Sequence, residues 1–164
     1  MITSLLTCFS CALLPQQSSL AVGAKADRVV VFKKERTLTL MHAGETLKVY
    51  KVALGSEPLG AKQRQGDHKT PEGSYVLDRR NSKSKFYRSL HVSYPDAKQR
   101  AFASQHSINP GGDIMIHGLP NGFGWLGKTH LVKDWTDGCI AVTNEEMDEI
   151  WTAVDDGTPI DINL

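Results

Sequence analysis

The residue types that could do chemistry in this chain gather between Asp113 and Asn144. An apolar run from Asp113 ends in His117-Gly118, and the chain later reaches Thr136-Asp137-Gly138-Cys139-Ile140. His117 and Cys139 are 22 residues apart, too far for a local helical pair but suited to a strand and a returning strand bridged by a long loop. If the two meet, His117 accepts the thiol proton and holds the thiolate as an ion pair, which makes Cys139 a nucleophile near neutral pH. Gly138 permits a tight turn whose amides face a developing oxyanion, so the expected chemistry is acyl transfer. Between His117 and Cys139, Gly122, Gly124 and Gly127 alternate with Phe123, Trp125 and Leu126. A connection of this length reads as an active-site lid whose apolar groups keep water from an acyl-enzyme. Asp137 either orients His117 or serves as a turn residue, and its charge by itself raises the thiol pKa. Gly118, Trp125 and Asp137 are the expected substrate contacts. The competing readings are a buried, inert cysteine and a hydrogen-bonded core histidine. No His-Glu-x-x-His or Cys-x-x-Cys spacing points to a metal site.

Positioning these groups falls to a β-rich scaffold. Val29, Val30, Val31 and Phe32 form one strand, and Leu38 and Leu40 alternate with threonines after a polar turn at Lys33 to Arg36. A third run through Leu47, Val49 and Val52 follows Ala43-Gly44-Glu45, completing a meander. Further strands are expected at Ser74–Leu77, His91–Tyr94 and Asp113–His117, and at Ile160, Ile162 and Leu164. One helix is well specified: Thr143 and Glu146 make a capping box, Met147, Ile150, Trp151 and Val154 form its core stripe, and Gly157 is placed to end it. Lys83, Lys85 and Arg88 around Phe86 and Tyr87 read first as a solvated loop, with docking of substrate carboxylates as the functional alternative. The segment Gly66 to Gly73 reads as a turn without a catalytic role. The fold class is therefore mainly β with a few helices, a β-rich α+β domain.

At 164 residues and a formal charge of +1, the chain has room for one domain and no basic excess that would recruit nucleic acid. Residues 1–24 carry no charged side chain and concentrate Leu5, Leu6, Phe9, Leu13 and Leu14, an export-signal pattern with cleavage expected after Ala24 or Ala26. Removing that segment takes Cys8 and Cys11 with it, so Cys139 stands alone in residues 25–164.

Several segments together resemble the YkuD-type L,D-transpeptidase catalytic domain. They are Gly66-Asp67-His68-Lys69-Thr70-Pro71-Glu72-Gly73, then Arg80-Asn81, Ser89-Leu90 and Ser93-Tyr94-Pro95, then Pro110-Gly111-Gly112 leading to Ile116-His117-Gly118, and finally Thr136 to Ile140. The last is similar to the family's Ser/Thr-x-Gly-Cys signature. The resemblance implies a β-sandwich or mixed sheet with a long active-site loop and one helix near the C-terminus. It implies attack of the cysteine on a peptidoglycan stem peptide, a thioester, and resolution by an amine of a second stem or of an envelope protein. It further implies no cofactor, a location in the periplasm or cell envelope, and a monomer. Two positions depart from the pattern: Asp137 stands where many members have histidine, and Ala141 where they have arginine. Substrate choice is what these departures bear on. They leave open hydrolysis of the same acyl-enzyme by a thiol amidase, and a wall-binding module without turnover is the third reading.

Overall fold

In the computed structural model, which describes residues 19–164, the chain forms one eight-stranded mixed sheet with two α-helices and a 3-10 segment. Most of the expected export signal, with Cys8 and Cys11, lies outside the described residues. The meander is β1 (Arg28–Phe32), β2 (Thr37–His42) and β3 (Glu45–Lys51), followed by β4 (Gly73–Ser84), β5 (Tyr87–Val92), β6 (Met115–His117), β7 (Ile140–Ala141) and β8 (Thr158–Asn163). Their spatial order is β3-β2-β1-β8-β4-β5-β6-β7. Alternation dictates the buried face: Val29 and Val31 of β1 and Ile160 and Ile162 of β8 are buried side by side in the parallel pair, with Val29 opposite Ile160. Just beyond β3, Ala53 bridges Ala141 of β7 through reciprocal backbone bonds of 3.0 and 2.8 Å, so the sheet curls until its two ends meet. The structure thus takes the mixed-sheet form of the expected fold.

Helix α2 (Asn144–Ala153) starts as the sequence predicts, with Thr143 Oγ1 accepting from Glu146 N–H at 3.2 Å and Glu146 Oε2 accepting from Thr143 N–H at 3.0 Å. Met147, Ile150 and Ala153 bury its inner face, and Val154 is buried just past its end. Trp151 is only partly buried and has the guanidinium groups of Arg80 and Arg88 over its ring at 5.0 and 5.5 Å, so it sits at the rim of the core. Gly157 turns the chain into β8 with a φ of 89° rather than capping the helix. Helix α1 (Ala97–Gln105) is an element the sequence reading does not anticipate; Asp96 and Gln99 form its capping box.

Three further expectations change. Lys33, read as a turn residue, is 1% exposed, and its Nζ donates to Gly60 O, Thr70 O and Glu72 Oε1 at 2.8 to 2.9 Å. A buried ammonium with three acceptors fixes whatever carries them, here the segment that contains His68. The basic cluster lies on the tight β4–β5 hairpin and not on a longer loop, with Lys83 and Lys85 exposed there as the solvated reading expects, while Arg88 pairs with Asp148 at 3.0 Å. The connection between His117 and Cys139 contains 3-10 turns at Gly124–Val132, kinked at Gly127 where φ is 47°.

Candidate active site

Strands β6 and β7 run parallel, with Ile116 opposite Ile140 and His117 opposite Ala141. Cys139 is the residue before β7, so side-chain alternation sets it on the same face as His117. Both line one cleft of about 520 Å³, with Phe86 and Trp135 beside them.

The turn into Cys139 depends on two residue types. Thr136, 5% exposed, accepts from Gly138 N–H at 3.1 Å and donates to Cys139 O at 2.7 Å, so one hydroxyl closes the turn from both ends. Gly138 has φ 122°, and a Cβ there would stand 2.5 Å from Lys69 O. Its N–H is committed to Thr136, so Gly138 shapes the turn through its backbone and does not serve as a free donor.

His117 is 3% exposed, and its Nδ1 lies 2.7 Å from Gly118 O. A carbonyl only accepts, so Nδ1 carries the proton and Nε2 presents a lone pair. Burial lowers the imidazole pKa to about 4, with a smaller contribution from His130, against the opposing bond to Gly118. The ring is held by Phe86, centroids 4.7 Å apart, and by the edge of Trp135 at 5.8 Å. Gly118 acts through this carbonyl and through close packing, since a Cβ would meet Asn144 Oδ1 at 2.7 Å; it is a positioning residue and does not line the cleft.

Cys139 is a free, partly exposed thiol. Its Sγ donates to Asp113 O at 3.6 Å and accepts from the Met115 amide. Burial pushes its pKa up to about 11, and the carboxylates of Asp137 and Asp113 push the same way. Burial thus acts against charge on both groups, the direction opposite to the expected thiolate–imidazolium pair.

Asp137 does not orient His117. Its carboxylate, 90% exposed, binds His68 Nδ1 at 2.7 Å. His68 comes from the segment read as a bare turn, and sequence reasoning misses it because the contact joins residues 69 positions apart. Gly55 makes room for it, since a Cβ there would lie 2.2 Å from His68 O. Trp125 also departs from expectation: it is 77% exposed and outside the cleft, and the indole that lines the cleft is Trp135. The β4–β5 hairpin contributes Asn81, Lys83, Lys85 and Phe86 to the opposite wall. A second cavity of about 410 Å³, bounded by Lys62, Gln65, His68 and Asn109, shares Asp113 and Asp137 with the first. Among the described residues, no group of three or more His, Cys, Asp or Glu is arranged to hold a metal ion, and no helix is long and apolar enough to cross a membrane.

Residues 26–162 match the model of the L,D-transpeptidase catalytic domain, YkuD. The chain is 36% identical over 132 residues to YafK of Escherichia coli (strain K12), a protein whose L,D-transpeptidase assignment is provisional; the match takes in 77% of this chain and 46% of that protein. The chain thus spans about half the length of this relative. Among solved structures, the fold is shared with the helical cell shape determining protein Pgp2 from Campylobacter jejuni, at a TM-score of 0.63 and 24% identity, over 82% of this chain and 46% of that one. It is shared also with the L,D-transpeptidase from Xylanimonas cellulosilytica, at a TM-score of 0.56 and 15% identity, over 87% and 63% of the two chains.

Proposed function

The chain belongs to the L,D-transpeptidase catalytic-domain family, and on that premise we propose that it is a cysteine acyltransferase of the cell envelope that acts on peptidoglycan stem peptides through a thioester on Cys139. The observation that carries this reading is the shared cleft: a partly exposed thiol and a neutral imidazole with a free Nε2 lone pair, on one face of adjacent strands. Because burial acts against charge on both groups, the thiolate forms as the substrate carbonyl is attacked. Sγ bonds to the carbonyl carbon while Nε2 of His117 takes the thiol proton. The tetrahedral intermediate then collapses, the scissile C–N bond breaks, and His117 returns that proton to the departing amine, leaving a thioester and a neutral imidazole. An amine, of a second stem or of an envelope protein, attacks the thioester and releases Cys139. Lys83 and Lys85 on the hairpin wall supply cations for stem-peptide carboxylates. We assign the residues before the domain to an export signal, in keeping with a substrate outside the cytoplasm.

Hydrolysis is the second reading, and one observation favours it. Phe123, Trp125 and Leu126, the apolar groups expected to cover the acyl-enzyme, do not line the cleft, and the first two are 51% and 77% exposed, which leaves the thioester open to water. Incubation of the protein and its Cys139→Ala variant with tetrapeptide-containing muropeptides, read by mass, tests both. Loss of D-alanine with dimer formation supports transfer, and cleavage without dimers supports hydrolysis. Products that do not depend on Cys139 overturn both.

A further inference from the structure

The neighbourhood of Cys139 contains a second imidazole that the first half-reaction does not use. His68 Nδ1 and Asp137 Oδ1 are 2.7 Å apart, and a carboxylate only accepts, so the proton sits on Nδ1 and Nε2 of His68 is an acceptor. Asp137 orients this ring. The dyad stands at the seam of two cavities: Asp137 and Asp113 line the cleft that holds Cys139 and also the adjoining cavity, whose wall includes His68.

The electrostatics of that second cavity select a cation. Lys62, its one buried ammonium, is neutralised by Asp67 at 2.7 Å and by Arg64 O at 3.1 Å. The carboxylates of Asp113 and Asp137 are 86% and 90% exposed; the nearest cation to Asp113 is Arg79, at 3.9 Å and itself 63% exposed. The cavity thus offers an incoming group two carboxylates and an imidazole lone pair beside the thiol.

We propose that this cavity admits the acyl acceptor as a primary ammonium and that His68, oriented by Asp137, takes its proton for attack on the Cys139 thioester. This deepens the transfer reading above and rests on it. The step balances: the ammonium gives one proton to His68 Nε2, and the free amine adds to the thioester carbonyl. Collapse breaks the C–S bond, the nitrogen loses a second proton to His117 and thence to the sulfur, and His68 releases its proton to solvent. His117 is ill placed for the first of these transfers. It is 3% exposed and does not line the cavity through which the ammonium would enter. His68 lines that cavity, is half exposed and is bonded to a carboxylate. The backbone that carries the ring is closely packed: His68 and Lys69 lie against Gly55 and Gly138, where a Cβ would come within 2.2 and 2.5 Å of their carbonyl oxygens.

The test separates the two half-reactions. Protein loaded as the thioester with a tetrapeptide muropeptide is mixed with increasing lysine amide, and its decay is followed by mass. The slope against amine reports transfer, and the intercept reports hydrolysis. In His68→Gln the slope falls roughly 100-fold, the scale of a lost general base, while thioester formation and the intercept stay within about threefold. Asp137→Asn lowers the slope less, and thermal unfolding confirms that both variants fold. An unchanged slope, or a fall shared by slope, intercept and thioester formation, overturns the proposal. If the unaltered protein forms no thioester, the transfer reading fails by itself, and a binding measurement still judges the cavity. A saturable shift of the His68 ring signals on titration with lysine amide, lost in Asp137→Asn, supports an ammonium site; no saturable shift overturns it.

Discussion

The opposition of burial to charge on Cys139 can be measured directly. Burial first, and then the carboxylates of Asp137 and Asp113, move the Cys139 thiol from an ordinary value near 9 to about 11. At neutral pH a thiol that much more basic holds roughly a hundredfold less thiolate. A more basic thiolate is also a better nucleophile, and a Brønsted slope of about 0.4–0.5 returns roughly eightfold of that loss. The net expectation is alkylation about tenfold slower than for the same cysteine in the unfolded chain. The assay treats folded and urea-unfolded protein with iodoacetamide from pH 6 to 11 and quantifies the peptide that contains Cys139. In the folded protein the rate should climb about tenfold per pH unit through pH 9, without a plateau. Asp113→Asn should move the profile to lower pH, because it removes a charge that opposes the thiolate. A plateau with its midpoint below pH 8 would show a preformed thiolate–imidazolium pair and refute the reasoning.

Other expectations follow from single contacts. Burial holds the folded-state pKa of His117 near 4 against an ordinary 6.5, so between those values the unfolded chain binds a proton that the folded chain does not. Stability should therefore fall as pH drops from 6.5 to 4, by roughly 3 kcal/mol from this group, and His117→Gln should flatten that part of a urea-denaturation series. Thr136→Val removes the hydroxyl that ties Gly138 N–H to Cys139 O, and should cost about 1–3 kcal/mol in chemical denaturation and slow acylation, with Thr136→Ser restoring both. Gly118→Ala drives a Cβ to 2.7 Å from Asn144 Oδ1 and tilts the carbonyl that holds His117; acylation of Cys139, read by mass, should slow by roughly 10- to 100-fold. Lys33→Met leaves Glu72 and two carbonyls without their ammonium, and should cost about 3 kcal/mol in denaturant unfolding while raising hydrogen exchange in the Gly66–Gly73 segment.

How far these features can be read from sequence depends on whether their cause is local. The meander and the start of α2 are legible because alternation in Val29–Val31 and Leu38–Leu40, and the Thr143–Glu146 box, act within a few residues. Helix α1 escapes because only Ala103 is buried, so it carries almost no apolar stripe; Asp96 and Gln99 are its one local signal. Lys33 looks like a turn residue until a distant segment brings three acceptors to it. That Cys139 and His117 share one cleft is legible from the Gly-Cys turn and the apolar strand, but the burial that acts on both is not. Trp125 and Trp135 are indistinguishable by type and lie in one connection, and only the 3-10 turns and the kink at Gly127 decide which faces the cleft. The roles of His68 and Asp137 are hidden for one shared reason: each is the other's partner across the fold.

The meeting of Ala53 with Ala141 has a consequence for how activity arises as the chain folds. The two-residue strand beside the nucleophile is held between β6 and the chain leaving β3, so its position depends on contacts between remote parts of the sequence. Such contacts carry the largest loop-closure cost and slow folding. Until the ring of strands is complete, sulfur and imidazole belong to separate pieces of chain, and a half-formed molecule has no reactive centre. Acquisition of acylating power during refolding should accordingly coincide with the last cooperative step and not with the appearance of β-structure.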